Sequence, residues 1–128
     1  MTDLHIDATS RTPAVTLESS TGSLTVRGES YPEDVTAFYA QLTGALEEFF
    51  SGDDVTLKTQ IKLTYFNSSS ARALMELLEL LDDAAERGAT VTVEWFCDPD
   101  DDITREFAED IAAEVSHASV SILDLDAD

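Results

Sequence analysis

The chain has 128 residues, of which 43% are hydrophobic; this is typical of one globular domain spanning residues 1–128 and excludes a disordered polypeptide. Seven Lys and Arg against 27 Asp and Glu give a formal net charge of −20, which excludes nucleic acid and disfavours anionic membranes as partners. One cysteine excludes a disulfide framework. With no apolar run long enough to span a bilayer and no signal peptide at Met1–His5, we expect a cytoplasmic protein.

The N-terminal part of the chain predicts a β-hairpin. Residues 1–13 are polar, as an arm or a short edge strand would be. Ala14–Glu18 and Leu24–Arg27 have the composition of strands, and Ser19–Gly22 between them has the composition of a turn. We therefore expect two antiparallel strands at the start of the fold.

The first helix is predicted to open at Ser30. Ser30 and Glu33 have capping-box spacing, and Pro32 lies where a first helical turn tolerates proline. Gly52 is expected to end this helix. Its apolar residues recur at helical spacing and form a broad stripe that we assign to the core: Val35, Phe38, Tyr39, Leu42, Leu46, Phe49 and Phe50.

A long strand with one buried and one wet face follows the first helix. Apolar residues from Val55 to Tyr65 alternate with threonine, lysine and glutamine. Tyr65 is thereby predicted to lie on the buried face. A wet face argues against a sheet covered by helices on both sides and predicts helices mainly on one face.

The second half of the chain alternates helices with strands. We predict a helix from about Ala71 to Arg87, a strand at Thr90–Trp95, a third helix after the break at Asp98–Asp102, and a last strand at Ser119–Leu123. The apolar residues of the third helix are expected to face the core: Ile103, Phe107, Ile111 and Val115.

The predicted element order is β-β-α-β-α-β-α-β. Strand–helix–strand units need right-handed crossovers, so the later part of the sheet is expected to be parallel. The fold class is therefore α/β, with a mixed sheet and three helices mainly on one face. An acidic tail from Asp124 to Asp128 is expected to fray.

Four polar residues, Asn67 to Ser70, stand between the long strand and the second helix. Asn and Ser are preferred helix N-caps, worth about 1 kcal/mol over Ala, but one cap is enough for a helix. A helix start also carries a partial positive charge and free backbone N–H groups, which would stabilise a phosphate on Ser68. Arg72 could reach such a phosphate. The residues alone leave both interpretations open, and a cap without a further role is the commoner case.

The acidic run near residue 100 partly matches a calcium-binding loop. Asp98, Asp100, Asp102 and Glu109 fall at the first, third, fifth and twelfth positions of an EF-hand, but Ile103 occupies the position that needs glycine. Partial matches of this kind are common. We therefore assign no metal site and expect aspartates of this run to cap and charge-complement the third helix.

No other pattern in the sequence predicts catalysis. His5, His117 and Cys97 lack the spacing of a zinc site, and Cys97 is expected to be a partly buried thiol at a strand end. The chain has no P-loop, G-x-G-x-x-G or G-x-S-x-G motif, so we assign no catalytic residue and no cofactor. The acidity favours protein partners with basic patches, although solubility alone would also explain it.

Several segments of the chain resemble one known family. The specific parts are Ser-Tyr-Pro-Glu at residues 30–33 and Tyr-x-Asn-x-Ser-Ser at residues 65–70, and the similarity extends in order over nearly the whole chain. The matching stretches are Asp3–Ile6, Thr12–Ala14, Gly28–Glu33 and Leu63–Ser70. On these residues the chain resembles the SiaC family of bacterial regulatory phosphoproteins, which have a fold like the STAS domains of anti-sigma factor antagonists.

The resemblance implies a phosphorylation site in the serine turn. In that family the residue after the Asn is the phosphoacceptor and is usually threonine, and here this position is Ser68, with Ser69 as the second choice. Asn67, Ser69, Ser70 and Arg72 are then expected to lie near the phosphate or to bind the partner. The implied function is that of a non-enzymatic regulator.

The resemblance also implies a set of protein partners. A serine/threonine kinase would modify the serine turn and a PP2C-like phosphatase would clear it. The unmodified form would bind and activate a diguanylate cyclase, and so promote cyclic-di-GMP signalling and biofilm formation. Because a phosphate dianion in an interface costs desolvation and like-charge repulsion, modification would oppose docking.

Two other functions stay open at this point. A STAS-type antagonist that sequesters an anti-sigma kinase, and so acts on transcription, would use the same site and differ only in its partner. A small acidic metal-binding protein or hydrolase would instead use the carboxylates of the surface.

Overall fold

The computed structural model describes residues 3–52 and 55–125, and these contain six strands and three helices. In chain order the elements are β1 (Leu4–Ile6), β2 (Ala14–Glu18), β3 (Ser23–Ser30), α1 (Val35–Phe49), β4 (Thr56–Phe66), α2 (Ser68–Glu86), β5 (Thr90–Cys97), α3 (Asp102–Glu114) and β6 (Ser119–Asp124). Asp124 ends β6, and the rest of the predicted acidic tail, from residue 126, lies outside the described residues.

The strands form one mixed sheet in the order β1-β2-β3-β4-β5-β6. β1, β2 and β3 pair antiparallel, whereas β3, β4, β5 and β6 pair parallel. Each parallel strand is the neighbour of the one before it, so right-handed crossovers carry all three helices to the same side of the sheet. The predicted α/β class with a mixed sheet is confirmed, and the polar N-terminal arm contributes β1 as an additional edge strand.

Side-chain burial confirms one wet face and one covered face on the long strand. Leu57, Ile61 and Leu63 are buried under the helices, whereas Thr56 and Lys58 are exposed on the other face. The helices contribute leucines to the same core, each of which stabilises the fold by roughly 1.5–3 kcal/mol when fully buried. These leucines are Leu42, Leu46, Leu74, Leu77, Leu78 and Leu81.

The helix α1 begins later than its sequence predicts. Its cap is Asp34, whose side chain accepts a 3.0 Å hydrogen bond from the Ala37 N–H, and its first residue is Val35. The predicted capping box at Ser30 and Glu33 is wrong because Ser30 is still the last residue of β3, paired with Phe66 and fully buried.

Tyr65 lies outside the core, contrary to its position in the alternating pattern. The register of β3 and β4 shifts here: Leu63 pairs with Gly28 and Tyr65 with Glu29, so that Thr64 is an extra residue in β4. Such a bulge reverses the alternation of side chains beyond it. Tyr65 is consequently 53% exposed.

Thr59 offers a test of the covered face. Its hydroxyl is fully buried and has no hydrogen-bond partner among the described residues. An unsatisfied buried hydroxyl costs about 1–3 kcal/mol, so Thr59→Val should raise the free energy of unfolding by about 1 kcal/mol. Urea denaturation measures the change.

Thr56→Val is the matched control, because Thr56 lies on the wet face of the same strand and is exposed. It should change the free energy of unfolding by less than about 0.5 kcal/mol. A loss of stability in Thr59→Val would mean that the Thr59 hydroxyl has a partner.

Candidate functional site

The helix α2 begins directly at the end of β4, and Asn67 alone separates them. The Asn67 side chain accepts a 2.9 Å hydrogen bond from the Ser70 N–H and so caps the helix. The helix therefore starts at Ser68 and not near Ala71 as predicted. The three serines form its first turn, because one asparagine cap lets the helix follow the strand without an intervening loop.

The three serines of this turn point in three directions, as a rotation of about 100° per residue requires. Ser68 is exposed and lines a cleft between α2 and α3. Ser69 is exposed and lines a groove between α1 and α2. Ser70 is fully buried. Its side chain is therefore absent from the surface, where it was expected to lie near the phosphate or to bind the partner. Two hydroxyls are thus accessible to a modifying enzyme.

Ser70 belongs to a buried chain of three hydroxyls. The Ser30 hydroxyl donates a 2.9 Å hydrogen bond to the Ser70 oxygen, and Ser30 and Tyr39 lie 2.6 Å apart, oxygen to oxygen. Since Ser30 uses its proton on Ser70, Tyr39 is the donor to Ser30. Burial raises the pKa of Tyr39 despite these hydrogen bonds, which keeps the phenol neutral and able to donate. The chain joins the end of β3, α1 and the start of α2.

The cleft beside Ser68 has an apolar lining and a volume of about 390 Å³. Tyr65 and Phe66 line one part of it, and Ile103 and Phe107 from α3 line another. Phe66 and Phe107 are in contact, with ring centroids 5.3 Å apart. Ile103, predicted as a core residue, is 83% exposed because the first turn of α3 borders the open cleft.

The loop before α1 lies beside this cleft. The Tyr31 ring packs edge-on against Tyr65, with centroids 5.6 Å apart. The Tyr31 N–H donates to the Arg11 carbonyl, and the Arg11 guanidinium pairs with Glu33 at 2.7 Å. These contacts hold two aromatic residues at the surface next to the serine turn. Sequence reasoning missed Tyr31 and Tyr65 as surface residues, although Tyr31 belongs to the Ser-Tyr-Pro-Glu segment that carried the resemblance.

The acidic run forms the start of α3. Asp101 caps the helix, accepting hydrogen bonds from the Thr104 N–H at 3.0 Å and the Thr104 hydroxyl at 2.6 Å, and these bonds lower the pKa of Asp101. Asp98, Asp100 and Asp102 are exposed around it. The predicted capping role is thus filled by Asp101. In the described part of the chain no three His, Cys, Asp or Glu side chains are grouped to hold a metal ion.

Arg72 lies on the groove side of the serine turn. Its side chain lines the groove of about 190 Å³ together with Ser69 and Tyr39. Within residues 3–52 and 55–125, no carboxylate lies within ion-pair distance of Arg72. Ser68 lines the cleft on the α3 side of α2, and Arg72 and Ser69 line the groove on its α1 side.

Cys97 is fully buried at the end of β5, and burial raises the pKa of its thiol. A buried neutral thiol is a weak nucleophile, so its placement agrees with a packing role. None of the helices within the described ranges is long and apolar enough to cross a bilayer.

The fold and the site together define an α/β domain that presents a hydroxyl-bearing helix start beside an apolar cleft. The family described as SiaC family regulatory phosphoprotein matches residues 6–125. The chain belongs to this family. It is therefore a regulatory protein and not an enzyme. The predicted family and the predicted non-enzymatic, regulatory role are both confirmed.

Known proteins of Pseudomonas aeruginosa support the same assignment. PA14_02130 of strain UCBPP-PA14 is 34% identical over 116 residues, which cover 91% of this chain and 92% of that protein. Apo-SiaC has a crystal structure that superposes with a TM-score of 0.89 at 32% identity, covering 96% of this chain and 99% of that one. A chain in the crystal structure of the diguanylate cyclase SiaD with its activator SiaC matches with a TM-score of 0.89 at 32% identity, covering 96% and 100%.

The buried hydroxyl chain is testable by removing one oxygen. Tyr39→Phe deletes the donor to Ser30 without changing the ring, so it should lower the free energy of unfolding by about 1–2 kcal/mol. Tyr65→Phe is the control, because the Tyr65 ring is half exposed, and its effect should stay below about 0.5 kcal/mol. Equal effects of the two substitutions in urea denaturation would contradict a structural role for the hydroxyl chain.

Proposed function

We propose that this chain is a phosphorylation-controlled regulator whose unmodified form binds and activates a diguanylate cyclase. Its site is the surface around Ser68. The observation that carries the proposal is an exposed hydroxyl on the wall of an apolar cleft, at the start of a helix, in a family of regulatory phosphoproteins. The SiaC relative of known structure is an activator bound to the cyclase SiaD.

Ser68 is the proposed phosphoacceptor for three reasons. Its hydroxyl is exposed, it follows the capping Asn67, and no helix cap depends on it because Asn67 fills that role. Ser69 is the second choice, since it is exposed too but faces the groove that Arg72 lines. Ser70 is excluded by its burial and by its hydrogen bond to Ser30.

A phosphate on Ser68 would change the site in two opposing ways. It would add about −1.5 to −2 charge at a helix N-terminus, where free N–H groups and the helix dipole stabilise an anion. It would also place a hydrated dianion on the wall of the apolar cleft, on the α2 side opposite the acidic start of α3. A partner that covers the cleft would have to remove that water, so the modified form should bind the cyclase more weakly.

The regulatory cycle requires two further proteins. We infer that a serine/threonine kinase transfers the phosphate to Ser68 and that a PP2C-like phosphatase removes it. Both would act in the cytoplasm, which is the compartment that we propose for the whole cycle. The exposure of Ser68 on one side of α2 supports access for both enzymes without unfolding of the helix.

The phosphorylation site is tested by tandem mass spectrometry of the protein purified from its native cells with phosphatase inhibition. We expect phosphate at residue 68 in the wild type and in Ser69→Ala, and no phosphate in Ser68→Ala. Ser68→Ala should unfold at nearly the same urea concentration as the wild type, because Asn67 caps the helix. Phosphate on Ser69 would move the site, and a turn that is never modified would contradict the switch.

The functional consequence is tested with the diguanylate cyclase of the same organism that is most similar to SiaD. The unmodified protein and Ser68→Ala should bind this cyclase and raise its turnover. The phosphorylated protein should bind at least tenfold more weakly, a change of about 1.4 kcal/mol or more. Equal affinity of the two forms would contradict control by Ser68, and no binding by either form would contradict the cyclase as partner.

A further inference from the structure

The cleft beside Ser68 has exposed large hydrophobic residues on its lining. Three large hydrophobic residues are exposed in the described ranges, and two of them, Ile103 at 83% and Tyr65 at 53%, line this cleft. The third, Met75 at 39%, lies on α2 outside it. Exposed apolar residues that are grouped around a concave surface mark a contact site for another molecule.

Among the described residues that line the cleft, Asp101 is the only charged one. Asp101 lines the cleft at the start of α3, and Asp100 and Asp102 are exposed next to it in sequence. The opposite wall carries Ser68 and Asn67, which are uncharged. The cleft therefore has an apolar floor, an anionic edge and a neutral edge.

We propose that this cleft receives an apolar side chain of the diguanylate cyclase, from a segment in which Lys or Arg flanks that side chain. This inference rests on the proposed function, and it names the chemistry of the contact. The apolar side chain would pack against Tyr65, Ile103 and Phe107. The flanking cation would lie near the start of α3, where Asp101 lines the cleft and Asp100 and Asp102 are exposed next to it in sequence. There it would gain the charge complementarity that an acidic partner lacks.

The size of the cleft suits this occupant. Its volume of about 390 Å³ accommodates one large apolar side chain together with part of the backbone that carries it. An apolar anchor in a pocket with a polar rim is the usual arrangement of the residues that dominate a protein interface. Phe66 and Phe107 are already in contact beneath the cleft, so the floor is formed before the partner arrives.

This geometry also explains how a phosphate could oppose a basic partner. A dianion would attract a nearby cation, so simple charge repulsion cannot separate the two proteins. The phosphate on Ser68 would instead stand on the neutral edge and keep the cleft hydrated, at the place where the apolar side chain must enter. The phosphate would then release the cyclase because it keeps the apolar side chain of the cyclase out of the cleft.

The test measures the affinity of the unmodified protein for the cyclase by titration calorimetry. Ile103→Ala should weaken binding at least tenfold, whereas the matched control Met75→Ala should change it less than twofold. Both residues are exposed, so neither substitution should shift the urea midpoint. Unchanged binding by Ile103→Ala would overturn the proposed contact in the cleft. If phosphorylation still blocked binding in that variant, the proposed function would stand without this contact.

The charge of the partner is tested with the double variant Asp100→Asn and Asp102→Asn. A basic flank predicts weaker binding and a smaller loss of affinity between low and high salt than in the wild type. Stronger binding by this variant would mean an acidic partner surface and would overturn the proposal. If the unmodified wild type binds no cyclase at all, the proposed function fails and the assignment of the cleft fails with it.

Discussion

The arrangement of the site depends on the buried hydrogen bonds between Tyr39, Ser30 and Ser70. They connect α1, the last residue of β3 and the first turn of α2 at a point where all three side chains are buried. The Asn67 N–H donates to the Ser30 carbonyl at 3.2 Å, so the backbone is held at the same place. With Ser70 held inward, the helical rotation leaves Ser68 toward the α3 cleft and Ser69 toward the α1 groove. The interior contact thus determines which hydroxyls face solvent.

The sequence left open whether the serine turn only caps a helix, and the geometry separates these roles. Asn67 is the cap, and Ser70 is a buried structural residue. Neither task requires the hydroxyl of Ser68 or Ser69, and both are exposed. A run of four cap-forming residues therefore divides into one cap, one buried link and two hydroxyls that are free for chemistry. This division favours phosphorylation of Ser68 or Ser69. From the sequence, the main support for such a site was the resemblance to the family.

Periodicity was sufficient to predict the α/β class, the three helices, the parallel half of the sheet and its single covered face. These features follow from averages over many residues, such as the leucines of α2 and the alternation along β4. The elements that form the site depart from those averages. Tyr65 faces outward because Thr64 is a bulge, and a bulge is a property of two paired strands that one strand's sequence does not contain. Ile103 has core spacing on α3 but borders a cleft that only tertiary packing defines.

The net charge constrains how any phosphate on this protein can act. A phosphate adds about −1.5 to −2 to a chain whose formal charge is already −20, so the long-range field changes by only about a tenth. Screening further limits its reach to about 8 Å at physiological ionic strength. A partner surface farther away would hardly distinguish the two forms. Modification can therefore control docking only if the acceptor lies inside the contact itself. The proposed acceptor, Ser68, would meet this condition with a partner that covers the apolar cleft, because Ser68 lines the wall of that cleft.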